Sequence, residues 1–99
     1  MAMLSGGGYA QYAAVHTDHL ISIPPNMTYI EAASTTETFL TAYQILKVLG
    51  RVTAKDTVLI HAGASGVGTS ALQLCTKVYG CRAITVCSSD EKCEYCCRY

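Results

Sequence analysis

The sequence lacks an excess of charge of either sign, since seven lysines and arginines are balanced by seven aspartates and glutamates over 99 residues. This balance leaves no electrostatic footprint for nucleic acid or for an anionic membrane surface. No apolar run approaches the roughly 20 residues that span a bilayer, and residues 1–8 lack the basic stretch and apolar core of a signal peptide. We therefore expect no nucleic-acid partner, no membrane association and a cytoplasmic location.

Disulfides are not expected either, although the chain has six cysteines, because a cytoplasmic compartment keeps thiols reduced. Cys93, Cys96 and Cys97 have part of the spacing of a zinc site. Structural zinc needs four ligands, usually in two pairs, and the sequence has no second C-x-x-C. We therefore expect no metal. The 51% of apolar residues is enough to exclude disorder and to form one small domain.

Two β-rich runs, at residues 9–15 and 20–23, predict two short strands near the start of the chain. Pro24 and Pro25 stop the second run, because proline cannot donate a hydrogen bond to a sheet ladder. The Pro-Pro-Asn sequence is also a turn signal. We expect these strands to be separated by this turn from the helices that follow.

Two helices are predicted next. Thr28 followed three residues later by Glu31 matches a capping box, which marks a helix start. The hydroxyl residues 34–36 compete for backbone groups and should keep this helix short. An apolar stripe that ends at Gly50 predicts the second helix, with the members Phe39, Ala42, Tyr43, Leu46 and Leu49.

The remaining residues have the order strand, turn, helix, strand. Residues 57–62 contain a continuous apolar run, as in a strand that is covered on both faces. A glycine-rich turn follows at residues 63–68, and residues 82–87 form a second β-rich run. Two strands joined by a helix of this length are parallel, so the pattern predicts a βαβ unit of an α/β fold. Its helix carries an apolar stripe that ends at Gly80, with the members Val67, Ala71, Leu74, Cys75 and Val78.

The glycine turn is the motif that indicates chemistry, and it reads Gly63-Ala64-Ser65-Gly66-Val67-Gly68. It matches the dinucleotide-binding fingerprint G-x-G-x-x-G except at the third position, where serine replaces glycine. Gly63 is expected to permit the tight turn and Gly68 to let helix and strand pack closely. The first-turn N–H groups and the helix dipole would then bind a pyrophosphate. The alternative interpretation is a tight βα turn with no ligand.

The tip of the second strand distinguishes between cofactors. An acidic residue there would bind the ribose 2′-hydroxyl of NAD, but residues 87–89 are Cys-Ser-Ser and Asp90 comes only later. Ser89 and Lys92 can receive a 2′-phosphate through a hydroxyl and a cation, which favours NADPH. The alternative is that residues 88–92 only cap a helix, and the two acidic residues among them would repel a phosphate if they faced it.

Three segments in this order resemble the zinc-free quinone oxidoreductase branch of the medium-chain dehydrogenases/reductases, the zeta-crystallin-like group. Residues 61–69 (HAGASGVGT) resemble its glycine turn, and residues 37–43 (ETFLTAY) resemble the helix before its first Rossmann strand. Residues 7–12 (GGYAQY) resemble the end of its GroES-like catalytic domain. The resemblance covers nearly the whole chain and implies a two-domain, zinc-independent enzyme that transfers hydride from NADPH to a quinone or an enone.

The resemblance also implies an assignment of segments and residues. Residues 1–27 would be the end of the GroES-like domain and residues 28–99 the first part of the Rossmann NADPH-binding domain, giving an α/β fold with a partial βαβ unit. Thr41 would lie beside the nicotinamide, although a helix-surface threonine is an equal alternative. Ser89 and Lys92 would meet the 2′-phosphate. The pyrophosphate turn would comprise Gly63, Ala64, Ser65, Gly66, Val67 and Gly68. The implied partners are a small quinone-type substrate and, in a possible homodimer of the full-length enzyme, a second subunit. No catalytic residue is identified.

Length is the main departure from that family. Most of the GroES-like domain would lie before Met1 and the remaining Rossmann strands after Tyr99, so the chain is interpreted as a fragment or a shortened isoform. A single βαβ unit leaves its sheet uncovered, so we expect the chain alone to bind NADPH weakly or not at all and not to catalyse. The alternative function is a non-catalytic dinucleotide-binding or interaction module.

Overall fold

The computed structural model describes all 99 residues, in two compact units, Met1–Glu37 and Thr38–Tyr99. No helix is both long and apolar enough to cross a bilayer. In chain order the elements are a 3₁₀ turn at Thr17–His19, helix α1 at Tyr29–Tyr43 with a π-helical continuation at Gln44–Leu49, strand β1 at Thr57–His61, helix α2 at Gly66–Gln73 with a π-helical continuation at Leu74–Tyr79, strand β2 at Arg82–Val86 and helix α3 at Asp90–Cys96.

The two strands predicted at residues 9–15 and 20–23 are wrong, because neither segment has a partner strand. Tyr9 in the first segment is fully exposed. In the second segment, Ile21 exchanges backbone hydrogen bonds with Met1 alone, donating at 2.8 Å and accepting at 2.6 Å. A single pair of residues does not make a sheet ladder. The domain boundary between residues 27 and 28 stays a prediction.

Helix α1 begins where the capping box predicts. The Thr28 amide donates to the Glu31 carboxylate at 2.8 Å, and the Glu31 amide donates to Thr28 Oγ1 at 3.2 Å. The predicted break at residues 34–36 is wrong. Their three hydroxyls donate back to the carbonyls of Glu31 or Ala32, at 2.7 to 3.2 Å. Because these hydroxyls are satisfied within the helix, one continuous helix replaces the two that were predicted.

Both predicted glycine stops end their helices, through different backbone geometry. Gly80 is left-handed with φ 63°, and its amide donates to the Cys75 carbonyl. Gly50 is right-handed with φ −78°, and the left-handed residue is instead Arg51, with φ 51°. Gly50 serves close packing, because a Cβ there would lie 2.9 Å from the Ile45 carbonyl oxygen.

Strands β1 and β2 are parallel, with Thr57 opposite Arg82 and each following residue in register. Helix α2 and its continuation form the crossover, so the predicted βαβ unit and the α/β class are confirmed. The prediction that β1 is covered on both faces of the sheet is wrong. Ile60 is 9% exposed, whereas Leu59 on the other face is 57% exposed and its register partner Ile84 is 43% exposed. The open sheet face agrees with the expectation for a single βαβ unit.

The core of the second unit lies between the covered sheet face and the helices. The helical stripes are narrower than predicted, because Tyr43, Leu49 and Val78 are 48%, 70% and 65% exposed. The buried cluster consists of Ala42, Leu46, Val52, Ile60, Ala71, Leu72, Cys75, Cys81 and Cys96. These residues fix the position of the turn between β1 and α2.

The turn before β1 makes stability depend on pH. The Thr53 amide and hydroxyl both donate to the Asp56 carboxylate, at 2.7 and 2.8 Å, and these bonds hold the pKa of Asp56 below its usual value of 3.8. Because the folded pKa lies below the unfolded one, the stabilisation is complete above the unfolded pKa and is lost as the pH falls through the folded pKa.

We therefore expect Asp56→Asn to lower the free energy of unfolding at neutral pH, and this difference from wild type to shrink as the pH falls below 3.8. Urea unfolding at neutral and acid pH measures both quantities. Glu94→Gln, on an exposed position of α3, is the matched control and should change little. A difference for Asp56→Asn that stays constant with pH would contradict the assignment.

Candidate functional site

The turn between β1 and α2 is held at the end of β2. The Gly63 amide donates to the Val86 carbonyl at 3.2 Å, and the Ser65 amide donates to the Ala62 carbonyl at 2.9 Å. The left-handed residue of the turn is Ala62, with φ 53°, and not Gly63. The expected role of Gly63 is therefore corrected. It allows close approach of the neighbouring strand, because a Cβ at this position would overlap Thr85 Oγ1.

The other two glycines of the turn also stand at close contacts. A Cβ on Gly68 would lie 2.6 Å from the Gly63 carbonyl oxygen, which confirms that Gly68 lets the helix pack against the turn. A Cβ on Gly66 would lie 2.9 Å from Thr38 Cγ2 of α1. Each glycine thus makes room for a different neighbour. Gly63 makes room for β2, Gly66 for α1 and Gly68 for the backbone of the turn itself.

Ser65 is the N-cap of α2, which explains why serine replaces glycine in the fingerprint. Its φ of −74° and ψ of 165° are extended values that any residue adopts. Its Oγ accepts from the Gly68 amide at 3.0 Å. The amides of Gly66 and Val67 lie in the first helical turn, where no intrahelical acceptor exists. They are the groups that a helix N-terminus offers to a phosphate.

A cavity of about 440 Å³, here called the crevice, lies at the carboxyl ends of β1 and β2. This is the edge of a parallel sheet where α/β proteins bind their ligands. It joins part of the glycine turn to the tip of β2 and the start of α3. Its lining residues are Ala62, Ala64, Ser65, Val86, Cys87, Ser88 and Lys92.

Of the two residues predicted to meet a 2′-phosphate, Lys92 lines the crevice and Ser89 does not. Ser89 caps α3 by accepting from the Lys92 amide at 3.4 Å. Ser88 takes its place in the crevice, and its Oγ accepts from Lys92 Nζ at 2.9 Å. Sequence reasoning missed Ser88, although its place four residues before a lysine was a usable signal. Asp90 and Glu91 do not line the crevice.

Thr41 is partly buried in α1 and lines neither the crevice nor a second cavity of about 270 Å³. That smaller cavity lies between the end of α1, β1 and α2, and Ser65 lines both cavities. The structure thus brings Ala64 and Ser65 of the glycine turn together with Lys92 in the crevice, whereas Val67 and Gly68 line the smaller cavity. Gly63 and Gly66 line neither cavity. The predicted role of Thr41 beside a nicotinamide stays a prediction.

All six cysteines are free thiols. Cys87 lines the crevice, and Cys96 is buried at the end of α3. Cys93 in α3 and Cys97 directly after it are exposed. No group of three His, Cys, Asp or Glu side chains is arranged so that it could hold a metal ion.

These features define a βαβ unit of the Rossmann type, with a close-packed glycine turn at the carboxyl edge of a parallel sheet. No protein-family model matches the chain. A probable quinone oxidoreductase of Leishmania amazonensis is 33% identical over an alignment of 98 residues that covers 96% of this chain and 27% of that protein. A lovastatin diketide synthase of Aspergillus terreus is 35% identical over 89 residues, which are 90% of this chain and 4% of that protein.

Solved structures give the same result. The quinone oxidoreductase of Thermus thermophilus, solved also in complex with NADPH, is 34% identical with a TM-score of 0.83, over 92% of this chain and 30% of that one. The CurK enoyl reductase is 34% identical with a TM-score of 0.76, over 82% and 24% of the two chains. The chain thus spans less than a third of each relative.

The chain is a homologue of quinone oxidoreductases and enoyl reductase domains of the medium-chain dehydrogenase/reductase superfamily. The resemblance drawn from the three sequence motifs is therefore confirmed.

Proposed function

We propose that this chain carries the pyrophosphate and 2′-phosphate sites for NADPH in an oxidoreductase that transfers hydride to a quinone or an enone. The crevice is the observation that carries this proposal, because Ala64 and Ser65, which lead into the first turn of α2, and Lys92 line one cavity of about 440 Å³. The proposal assigns the two anionic groups of the cofactor to opposite sides of this cavity.

The glycine turn is the proposed pyrophosphate site. The amides of Gly66 and Val67 lie in the first turn of α2 and have no intrahelical acceptor, and Ser65 already satisfies the Gly68 amide. The positive end of α2 adds to the attraction for an anion. The two free amides would donate to pyrophosphate oxygens, and Ala64 and Ser65 would line the approach.

The tip of β2 is the proposed site for the 2′-phosphate. The ionisable groups that line the crevice are the Lys92 ammonium and the Cys87 thiol, and no carboxylate lines it. A ribose 2′-hydroxyl would find no acidic acceptor there, whereas a 2′-phosphate would meet Lys92 and the Ser88 hydroxyl. Ser89 would act through its cap of α3, which holds the backbone of Lys92 in place.

Relatives named quinone oxidoreductase and enoyl reductase support the choice of acceptor. Quinones and enones share a carbon–carbon double bond that is conjugated to a carbonyl group, so both accept a hydride at an electron-poor carbon. NADPH would supply that hydride. Thr41 is proposed to lie beside the nicotinamide, and a homodimer of the full-length enzyme, zinc independence and a cytoplasmic location are proposed with it.

An NMR titration of the purified chain with NADPH and NADH tests the cofactor proposal. We expect weak binding that favours NADPH, with shifts at the amides of Gly66, Val67 and Lys92. Reduced nicotinamide mononucleotide, which lacks the adenosine half, is the control and should bind far more weakly. Absence of shifts at the glycine turn in millimolar NADPH would reject the proposal, and equal affinity for NADH would reject the 2′-phosphate site.

A further inference from the structure

Two cysteine side chains that have no role in the chemistry proposed above lie in contact at the edge of the crevice. The Sγ atoms of Cys87, directly after β2, and Cys96, in α3, are 3.5 Å apart. A disulfide requires a separation of about 2.05 Å, so the two sulfurs would have to approach by about 1.5 Å. A side-chain movement of this size is small compared with moving an element of the fold.

The two thiols differ in access, as a reactive dithiol requires. Cys87 lines the crevice and is partly exposed, whereas Cys96 is 4% exposed. A solute can therefore reach Cys87 first, while Cys96 lies behind it with its sulfur directed at the sulfur of Cys87. This arrangement matches an attacking thiol and a resolving thiol.

The environment of Cys87 favours its thiolate. Desolvation acts to raise the pKa of Cys87. Hydrogen bonds from Cys96, from Thr85 Oγ1 at 3.9 Å, from the Ala64 amide and from Cys93 outweigh it and lower that pKa. Burial beside Cys87 raises the pKa of Cys96. The thiolate is the reactive form of cysteine, so Cys87 is the better nucleophile of the pair.

Cys93 also lies within hydrogen-bonding reach of Cys87 and is the competing partner for it. Two further cysteine pairs are less suited to form a disulfide. Cys93 and Cys96 are three residues apart on α3, where Cβ atoms are about 5–6 Å apart, whereas a disulfide needs about 3.5–4.5 Å. Cys75 and Cys81 also contact each other, but both are buried, and burial raises the pKa of Cys75 to about 12. That pair is shielded from solutes and serves as an internal control.

We propose that Cys87 and Cys96 form a dithiol site that low-molecular-weight disulfides such as oxidised glutathione convert reversibly into an intramolecular disulfide. The Cys87 thiolate attacks one sulfur of glutathione disulfide, and one glutathione thiolate leaves. Cys96 loses its proton, its sulfur attacks the Cys87 sulfur of the mixed disulfide, and the second glutathione leaves. The cysteine pair gives up two electrons and two protons, and the small disulfide becomes two thiols.

This site depends only on the arrangement of the two cysteines, so it stands apart from the cofactor proposal. The disulfide would close a loop from Cys87 to Cys96 that contains Ser88 and Lys92, two of the residues that line the crevice. An oxidised chain would therefore hold the last residue of α3 against the tip of β2 by a covalent bond.

Tryptic mapping after treatment of the folded chain with oxidised glutathione tests the proposal. Trypsin cuts after Arg82, Lys92 and Arg98, so a bond between Cys87 and Cys96 joins peptide 83–92 to peptide 93–98. We expect this joined peptide as the main product, lighter by two hydrogen atoms and lost on reduction, while Cys75 and Cys81 stay as thiols. Fragmentation of the joined peptide identifies the cysteine of peptide 93–98 that is bonded.

Matched variants separate the proposed pair from its neighbours. Cys93→Ser should keep the joined peptide, while Cys96→Ser and Cys87→Ser should lose it. Circular dichroism reports whether loss of the buried Cys96 impairs folding. If it does, fragmentation of the joined peptide from Cys93→Ser still distinguishes a bond to Cys96 from a bond to Cys97. A joined peptide that persists in Cys96→Ser, or the same mixture of pairings in folded and urea-unfolded chains, would overturn the proposal.

Discussion

Gly68→Ala is expected to lower the free energy of unfolding by about 3 kcal/mol, at the upper end of the usual cost of overpacking. A Cβ at this position would lie 2.6 Å from the Gly63 carbonyl oxygen and 2.8 Å from the Gly63 carbonyl carbon. Both atoms belong to the backbone of the turn, so no rotamer change can relieve the contact. Either α2 moves away from β1 or the turn opens. Urea unfolding followed by circular dichroism measures the loss.

An alanine at Gly63 would clash with a side chain and not with the backbone, so Gly63→Ala is a control for the Gly68→Ala prediction. There a new Cβ would overlap the side chain of Thr85, a group that a second mutation can remove. Gly63→Ala should therefore be destabilising alone and substantially rescued by Thr85→Gly, whereas no side-chain mutation should rescue Gly68→Ala. Gly8→Ala, with no atom within 4 Å of its Cβ, should have little effect. Equal stability of the Gly68→Ala and Gly8→Ala variants would contradict the close packing of helix and turn.

Lys92→Ala is expected to weaken NADPH binding about tenfold and to leave NADH binding unchanged. A tenfold change corresponds to about 1.4 kcal/mol, near the lower limit of a hydrogen bond to a charged group, because Lys92 is exposed. The ammonium lies in the crevice and donates to Ser88 Oγ, which places it where the 2′-phosphate is proposed. NMR titration of the variant with each cofactor measures the ratio of the two dissociation constants.

Lys55→Ala is the matched control for this prediction. Lys55 lies in the turn before β1, at the opposite end of the strand from the crevice, and it is exposed. Its loss removes the same charge from the chain and should leave the preference for NADPH intact. If both variants weaken NADPH binding equally, the net charge and not a built site is responsible. If NADH binding falls as much as NADPH binding, Lys92 does not contact the 2′-phosphate.

Local signals in the sequence were sufficient to predict much of the fold. The capping box of Thr28 and Glu31, the stop at Gly80 and the βαβ order depend on residues close together in the chain. Their hydrogen bonds and apolar periodicity are therefore encoded locally. The glycine turn was found in the same way, and so was the family, because the three motifs each occupy a short segment.

Residues that depend on distant partners were not predictable in this way. The β-rich runs at residues 9–15 and 20–23 have strand composition, but a strand exists only where another strand can share its hydrogen bonds. The hydroxyls of residues 34–36 were equally ambiguous. They can break a helix or bond to its preceding turn, and here the continuous helix settles the choice.

The sequence by itself thus determined the α/β class, the βαβ unit, the glycine turn and the superfamily, because each is carried by neighbouring residues. Only the tertiary structure showed that Gly63 makes room for Thr85 and that Ser88, not Ser89, faces the crevice with Lys92. It also brought Cys87 and Cys96 together. The physical reason is common to all three: distances across the carboxyl edge of the sheet follow from strand register and helix packing, which spacing along the chain does not encode.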